Sequence, residues 1–164
     1  MKKLITISPS GQMARLAGPV AALLAVCAPT GQAASGTWLG GSSLQWTNQA
    51  NWSTGTVPGS GETATFNSGG DATIPLFLLG SATVGAIVFD TASVASYGIG
   101  GGDSLTLSTA GTLTMSASVA RPQQVAANLT LGTASGADTF TFTNASTVPG
   151  ATLFFSGTIG TGAN

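Results

Sequence analysis

From residue 63 onward the chain returns repeatedly to a short phrase in which Thr, Ser or Asn alternates with an apolar side chain. The examples are Thr63-Ala-Thr-Phe-Asn67, Ser104-Leu-Thr-Leu-Ser108, Thr112-Leu-Thr-Met-Ser116, Asn128-Leu-Thr-Leu131 and Thr139-Phe-Thr-Phe-Thr143. Successive side chains of an extended strand point to opposite faces, so a period of two describes a strand with one wet and one buried face. Val84–Phe89 and Thr152–Ser156 are more continuously apolar, and Gly, Asp, Asn or Pro bounds each run. No window after Ser35 sustains a period of 3.6, which predicts almost no helix. Of the 130 residues from Ser35 on, 59 are Gly, Thr or Ser, a content that alone would read as flexible linker. The alternation overrides that reading and predicts an all-β fold.

Among all-β architectures, three features favour a β-solenoid. Thr and Ser fill the outward positions, where stacked rungs can bond side chain to side chain. Charged residues are 5% of the chain, against about 25% in an ordinary soluble domain, and rungs stacked at about 4.8 Å tolerate few like charges. The Thr-apolar-Thr-apolar unit also recurs with similar wording, although without a strict period. At roughly 20 residues per coil the chain after Ser35 would make about six coils. A transmembrane β-barrel fits less well, because the strands are too short and no aromatic girdle is visible.

The few charges exclude several functions. After Ser35 the only basic residue is Arg121, against Glu62, Asp71, Asp90, Asp103 and Asp138. A nucleic-acid binder needs clustered Lys and Arg, and so does a basic membrane-surface helix. With no His in the chain, Ser-His and Cys-His catalysis and His-ligated metals are excluded.

The start of the chain reads as an address. Lys2, Lys3 and Arg15 precede thirteen uncharged, mostly apolar residues (Leu16–Ala28), followed by Pro29-Thr-Gly-Gln-Ala-Ala34. This order predicts a signal peptide over 1–34, cleaved near Ala33 or Ala34, and the apolar run is too short to span a bilayer. Cys27, the only cysteine, falls inside it, so the mature chain would lack thiol chemistry and disulfides. Residues 35–62 then form a Trp-containing N-terminal cap and 63–164 the solenoid coils.

Trp38-Leu-Gly-Gly, Trp46, Ala50-Asn-Trp-Ser53, Val57-Pro-Gly59 and Glu62-Thr-Ala-Thr-Phe66 carry a likeness. So do Thr83-Val-Gly-Ala-Ile-Val-Phe-Asp90, Tyr97-Gly-Ile-Gly-Gly101 and Leu105-Thr-Leu107. They resemble the N-terminal part of bacterial exported proteins with autotransporter-associated β-strand repeats, many of them PEP-CTERM sorted or autotransporter passenger-like. The resemblance implies a right-handed parallel β-helix, extracellular or on the outer cell surface, with no enzymatic activity. Such proteins continue through further repeats, so the resemblance also implies that this chain is truncated and that its last coil is an uncapped edge open to self-association.

Trp38, Trp46 and Trp52 admit two readings: a cap over the open end of the first coil, which is favoured, or a platform for stacking sugars. Gly98-Ile-Gly-Gly-Gly-Asp-Ser-Leu-Thr106 matches a calcium-binding nonapeptide at Gly98, Gly101, Asp103 and Leu105 but fails at Ile99. One imperfect copy cannot supply the six to eight oxygens that Ca²⁺ requires, and a glycine turn is favoured. Catalysis would rest on carboxylates, alone or with Arg121, which reads as a solvated turn residue. Asn51, Asn128 and Asn144 head N-glycosylation triplets to which no function is attached. The expectation is an adhesin-like structural segment without catalysis, cofactor or metal, whose partner is a surface polysaccharide or a host or matrix surface. The alternatives are a carbohydrate-binding β-domain using the three Trp and, more remotely, a β-helix polysaccharide lyase or hydrolase.

Overall fold

A computed structural model describes residues 34–101, 104–132 and 138–162. Residues 1–33, which include Cys27 and most of the segment read as a signal peptide, and Asp103 lie outside the described residues.

Alternation in the sequence becomes alternation in burial. Strand β2 (Thr63–Phe66) buries Ala64 and Phe66 and turns Thr63 and Thr65 outward. Strand β4 (Ala82–Phe89) buries Ala82, Val84, Ile87 and Phe89. Strand β6 (Ser104–Met115) buries Leu105, Leu107, Leu113 and Met115. These strands pair in parallel and in register: Ala64 lies beside Ile87, Ile87 beside Leu113, and Leu113 beside Phe142 of β9 (Thr141–Asn144). A second ladder runs Ala82, Leu105, Leu129 and Ile159, through β8 (Asn128–Leu131) and β11 (Ile159–Thr161). With the two-residue β1 (Gly36–Thr37) these strands form one seven-stranded parallel sheet.

A four-stranded parallel sheet closes the remaining side. It stacks β3 (Thr73–Phe77), β5 (Ser96–Gly100), β7 (Gln123–Val125) and β10 (Leu153–Phe155). The chain is therefore an all-β parallel solenoid of about five turns, and the only helical element among the described residues is a 3-10 turn at Gln49–Asn51. Apolar side chains fill its interior, each fully buried Leu, Ile or Phe contributing about 1.5–3 kcal/mol.

Coils are longer than the roughly 20 residues expected. Thr63, Ala86, Thr112 and Thr141 occupy one ladder position, so successive coils take 23, 26 and 29 residues. The extra length reflects three flanks per coil rather than two, with a corner at each. One corner bends β4 and β6 in mid-strand, where the register shifts between Val84 and Ala86. Gly85 is required there: a Cβ would sit 2.5 Å from the Gly61 carbonyl carbon. At another corner Thr91 takes a positive φ of 68°, held by its N–H to Asp90 Oδ1 (2.8 Å) and its hydroxyl to Asn67 O (2.8 Å).

One interior position needs correcting. The alternation in Thr139-Phe-Thr-Phe-Thr143 puts Phe142 on the buried face, yet it is 37% exposed while Leu105 and Leu107 are fully buried. It holds an inward ladder position, but no strand stacks on the far side of β9 among the described residues. Within the Gly98–Thr106 segment, Gly98 lies inside β5, paired with Pro75 below and Gln124 above, and the glycine that leaves the strand is Gly101, with a φ of 110°.

Candidate functional site

The three indoles form the densest aromatic cluster in the molecule. Trp38, Trp46 and Trp52 are 1%, 0% and 2% exposed. Trp52 meets Trp38 and Trp46 edge to face, with centroids 5.1 and 4.9 Å apart. Phe66 lies 6.0 Å from each of the three and continues the column to Phe89 and Tyr97 in the next coil. The segment reaches this arrangement through a buried amide. Asn51 Oδ1 accepts from the N–H groups of Ser42 and Ser43, and its Nδ2 donates to Ser43 Oγ and Gln45 O. Trp52 Nε1 donates to Trp46 O at 2.8 Å. The Trp38 Nε1 abuts Gly40, whose positive φ and lack of a Cβ let the chain turn directly over the ring. The indole faces are thus turned toward one another and toward Phe66, and a sugar could stack on them only by displacing that packing.

The carboxylates are dispersed along the coils. Glu62 lies at the corner before β2, Asp71 is almost fully exposed, and Asp90 bonds the corner N–H of Thr91. Among the described residues no three Asp, Glu, His or Cys side chains cluster. Arg121 is not a free turn residue. It pairs with Asp71, and its Nη1 donates to Ala92 O and Val94 O, so one guanidinium ties together the turns of three coils. The sequence signal for this role is faint, since nothing local to Arg121-Pro122 points to residues 29 and 50 positions upstream.

Of the calcium-like nonapeptide, Gly98 is a strand residue and Leu105 is a buried core residue. The three glycosylation triplets begin with asparagines already engaged. Asn51 is buried, Asn128 Oδ1 accepts from Thr158, and Asn144 Nδ2 donates to Ala151 O.

Two polar features escaped the sequence pattern. Gln123 is fully buried in β7, where its Oε1 accepts from the Tyr97 N–H and its Nε2 donates to Ala95 O at 2.8 Å. The Tyr97 hydroxyl donates to Ser68 O, and burial pushes the phenol up to about 12. The third flank also carries a trough of about 310 Å³ over β5, bordered by Phe77 and Gln124. The signal for the trough was available: in Ser96-Tyr-Gly-Ile-Gly100 the residues alternating with the apolar Tyr97 and Ile99 include two glycines.

Comparison with family models, curated proteins and solved structures finds no significant match to this chain.

Proposed function

We propose that this chain is an exported, adhesin-like structural segment, secreted or displayed on the outer cell surface, which supplies a rigid spacer and contact surface rather than a reaction. The observation carrying this reading is the outward face of the solenoid. Thr63, Thr112 and Thr141 share one outward ladder position, and Thr65, Thr114 and Thr143 share the next, with Ala86 and Val88 filling the intervening coil. Thr83, Thr106 and Thr130 continue the hydroxyl surface on the adjoining flank. A surface of stacked hydroxyls with almost no charge stays solvated without ion pairs and presents hydrogen-bonding groups at the spacing of the coils, about 4.8 Å. Its natural partners are polyhydroxylated, a surface polysaccharide foremost, or a host or matrix surface.

The basic, apolar and small-residue order of positions 1–34 supports export. The wording from Trp38 to Phe66 supports kinship with the autotransporter-associated repeat proteins. The test is to express the full chain with its own leader in a Gram-negative host, fractionate the cells and determine the N-terminus by mass spectrometry. A chain beginning at Ala34 or Ser35 in an exported fraction is expected, and a cytoplasmic chain retaining residues 1–34 overturns the export reading. The non-catalytic reading is checked by incubating the purified chain with polyuronates. Release of unsaturated uronate, followed by absorbance, would overturn it.

A further inference from the structure

On the third flank the outward ladder positions carry side chains except at two successive positions of one strand. Strand β3 turns Pro75 and Phe77 outward and β7 turns out Gln124, with Ala126 just beyond it, but the positions between them on β5 are Gly98 and Gly100. Gly100 packs under Ala126, and the result is a trough of about 310 Å³ whose floor at Gly98 is bare backbone. It spans the distance from β3 to β7, two strand spacings or about 9–10 Å.

Gly98 is not there for the backbone. Its φ is not positive and the pairing runs unbroken through it, so there is neither turn nor bulge. It is not there for packing either, since a Cβ would meet only Gln124 Oε1, at 3.8 Å. Glycine inside a strand weakens it, and with those reasons removed the remaining one is close approach of a ligand to the backbone.

We propose that this trough binds an uncharged sugar chain, with a pyranose ring seated over Gly98 between Phe77 and Gln124. Phe77 is 41% exposed and offers an apolar ring to the C–H face of a sugar. Gln124 is positioned by donating from Nε2 to Ser156 Oγ at 2.8 Å, which leaves its second N–H and Oε1 to bond sugar hydroxyls. None of the residues lining the trough is ionisable, so an anionic ligand would find no countercharge there. The volume lies at the small end of ligand sites, about 300–1,000 Å³, which suits one or two sugar rings of a longer chain. The site moves sugar recognition away from the buried Trp38, Trp46 and Trp52. It deepens the polysaccharide contact proposed above and rests on it only for ligand class, because export is read separately by fractionation.

The test titrates the full chain with cellohexaose, xylohexaose, chitohexaose and maltohexaose by calorimetry. At least one should bind with a Kd of about 0.1–1 mM, typical of a shallow single site. Gly98→Val should weaken that binding at least about tenfold while leaving the melting temperature unchanged or higher, because valine suits a strand and its Cβ has space. Phe77→Ala, at an exposed position, should weaken it comparably without unfolding the chain. The proposal is overturned if none of the four sugars binds at about 5 mM. Undiminished binding to Gly98→Val, or polygalacturonate binding more tightly than every neutral sugar, overturns it as well.

Discussion

The first and last described coils of the solenoid are built from the same kind of ladder and differ in what covers them. At the Trp end, residues 38–52 fold back over Phe66, bury all three indoles, and satisfy the returning backbone through the Asn51 amide. At the other end, β9, β10 and β11 have no further strand beside them among the described residues. Ladder positions that hold Ile87, Leu113 and Leu105 at no exposure lower in the stack hold Phe142 at 37% and Ile159 at 49% here, and outward-facing Phe154 is 43% exposed. An apolar side chain in a solenoid is therefore buried by the coil above it as much as by its own coil, and burial is a property of the stack.

The sharpest way to break this comparison is to truncate an aromatic at each end. Trp52→Ala removes a ring in contact with both other indoles and Phe66, and should cost about 3–5 kcal/mol in denaturant unfolding. Phe154→Ala should cost under about 1 kcal/mol, because nearly half of that side chain is already in water. Equal costs would mean that the two ends do not differ energetically.

Next in size is the polar support of the Trp end. Asn51→Ala leaves the N–H groups of Ser42 and Ser43 and the Gln45 carbonyl without their buried partner, a loss of about 2–3 kcal/mol. Asn51→Asp restores the acceptor but not the donor and should recover part of it. An Asn51→Ala melting curve identical to that of the parent chain would show that the amide does not hold the indoles in place.

A third effect, of about 2–3 kcal/mol, is expected in strong base. The Tyr97 ring packs 4.8 Å from Phe66, and its phenol, ordinarily near 10.0, is raised to about 12 by burial. The folded state keeps a proton that the unfolded chain loses, so the stabilisation is complete below about pH 10 and disappears as the pH rises through 12. Tyr97→Phe should flatten the stability profile between those limits. A variant that still loses stability over the same interval would assign the effect to another group.

How much of this was legible in the sequence follows from where alternation is strict. Strands β2 and β8, both arms of β6 (104–108 and 112–115) and 141–143 of β9 announce themselves, because their outward positions are Thr, Ser or Asn and their inward ones are apolar. The third flank is illegible for local reasons: β3 contains Pro75, β5 turns glycines outward, and β7 buries Gln123, so each breaks the pattern at a different point. Gln123 is tolerated inside only because backbone groups of the preceding coil meet its amide, a partnership 26 to 28 residues away that no local window contains. The Trp cluster was visible as a cluster, but its burial was not, since that depends on Phe66 and on the turn over Gly40. The trough over β5 has a local signal in Gly98 and Gly100, but its walls emerge only when pairing places β3 with Phe77 and β7 with Gln124 on either side of that strand.

The smallest effect on stability should accompany a large effect on association. The far edges of β9, β10 and β11 combine unpaired backbone groups with exposed Phe142, Phe154 and Ile159, and no residue from 139 to 162 is charged. Edges of this kind template pairing with other chains, and lysine at the edge is an effective block. Light scattering of the concentrated chain should therefore show association, which Phe154→Lys and Ile159→Lys reduce while changing stability by less than about 0.5 kcal/mol. Lysines placed instead on the outward hydroxyl face, at Thr65 and Thr114, should leave association unchanged, because β2 and β6 are paired on both sides and offer no open edge. A parent chain that stays a monodisperse monomer at high concentration would remove the open edge from the comparison and leave the two ends distinguished by burial alone.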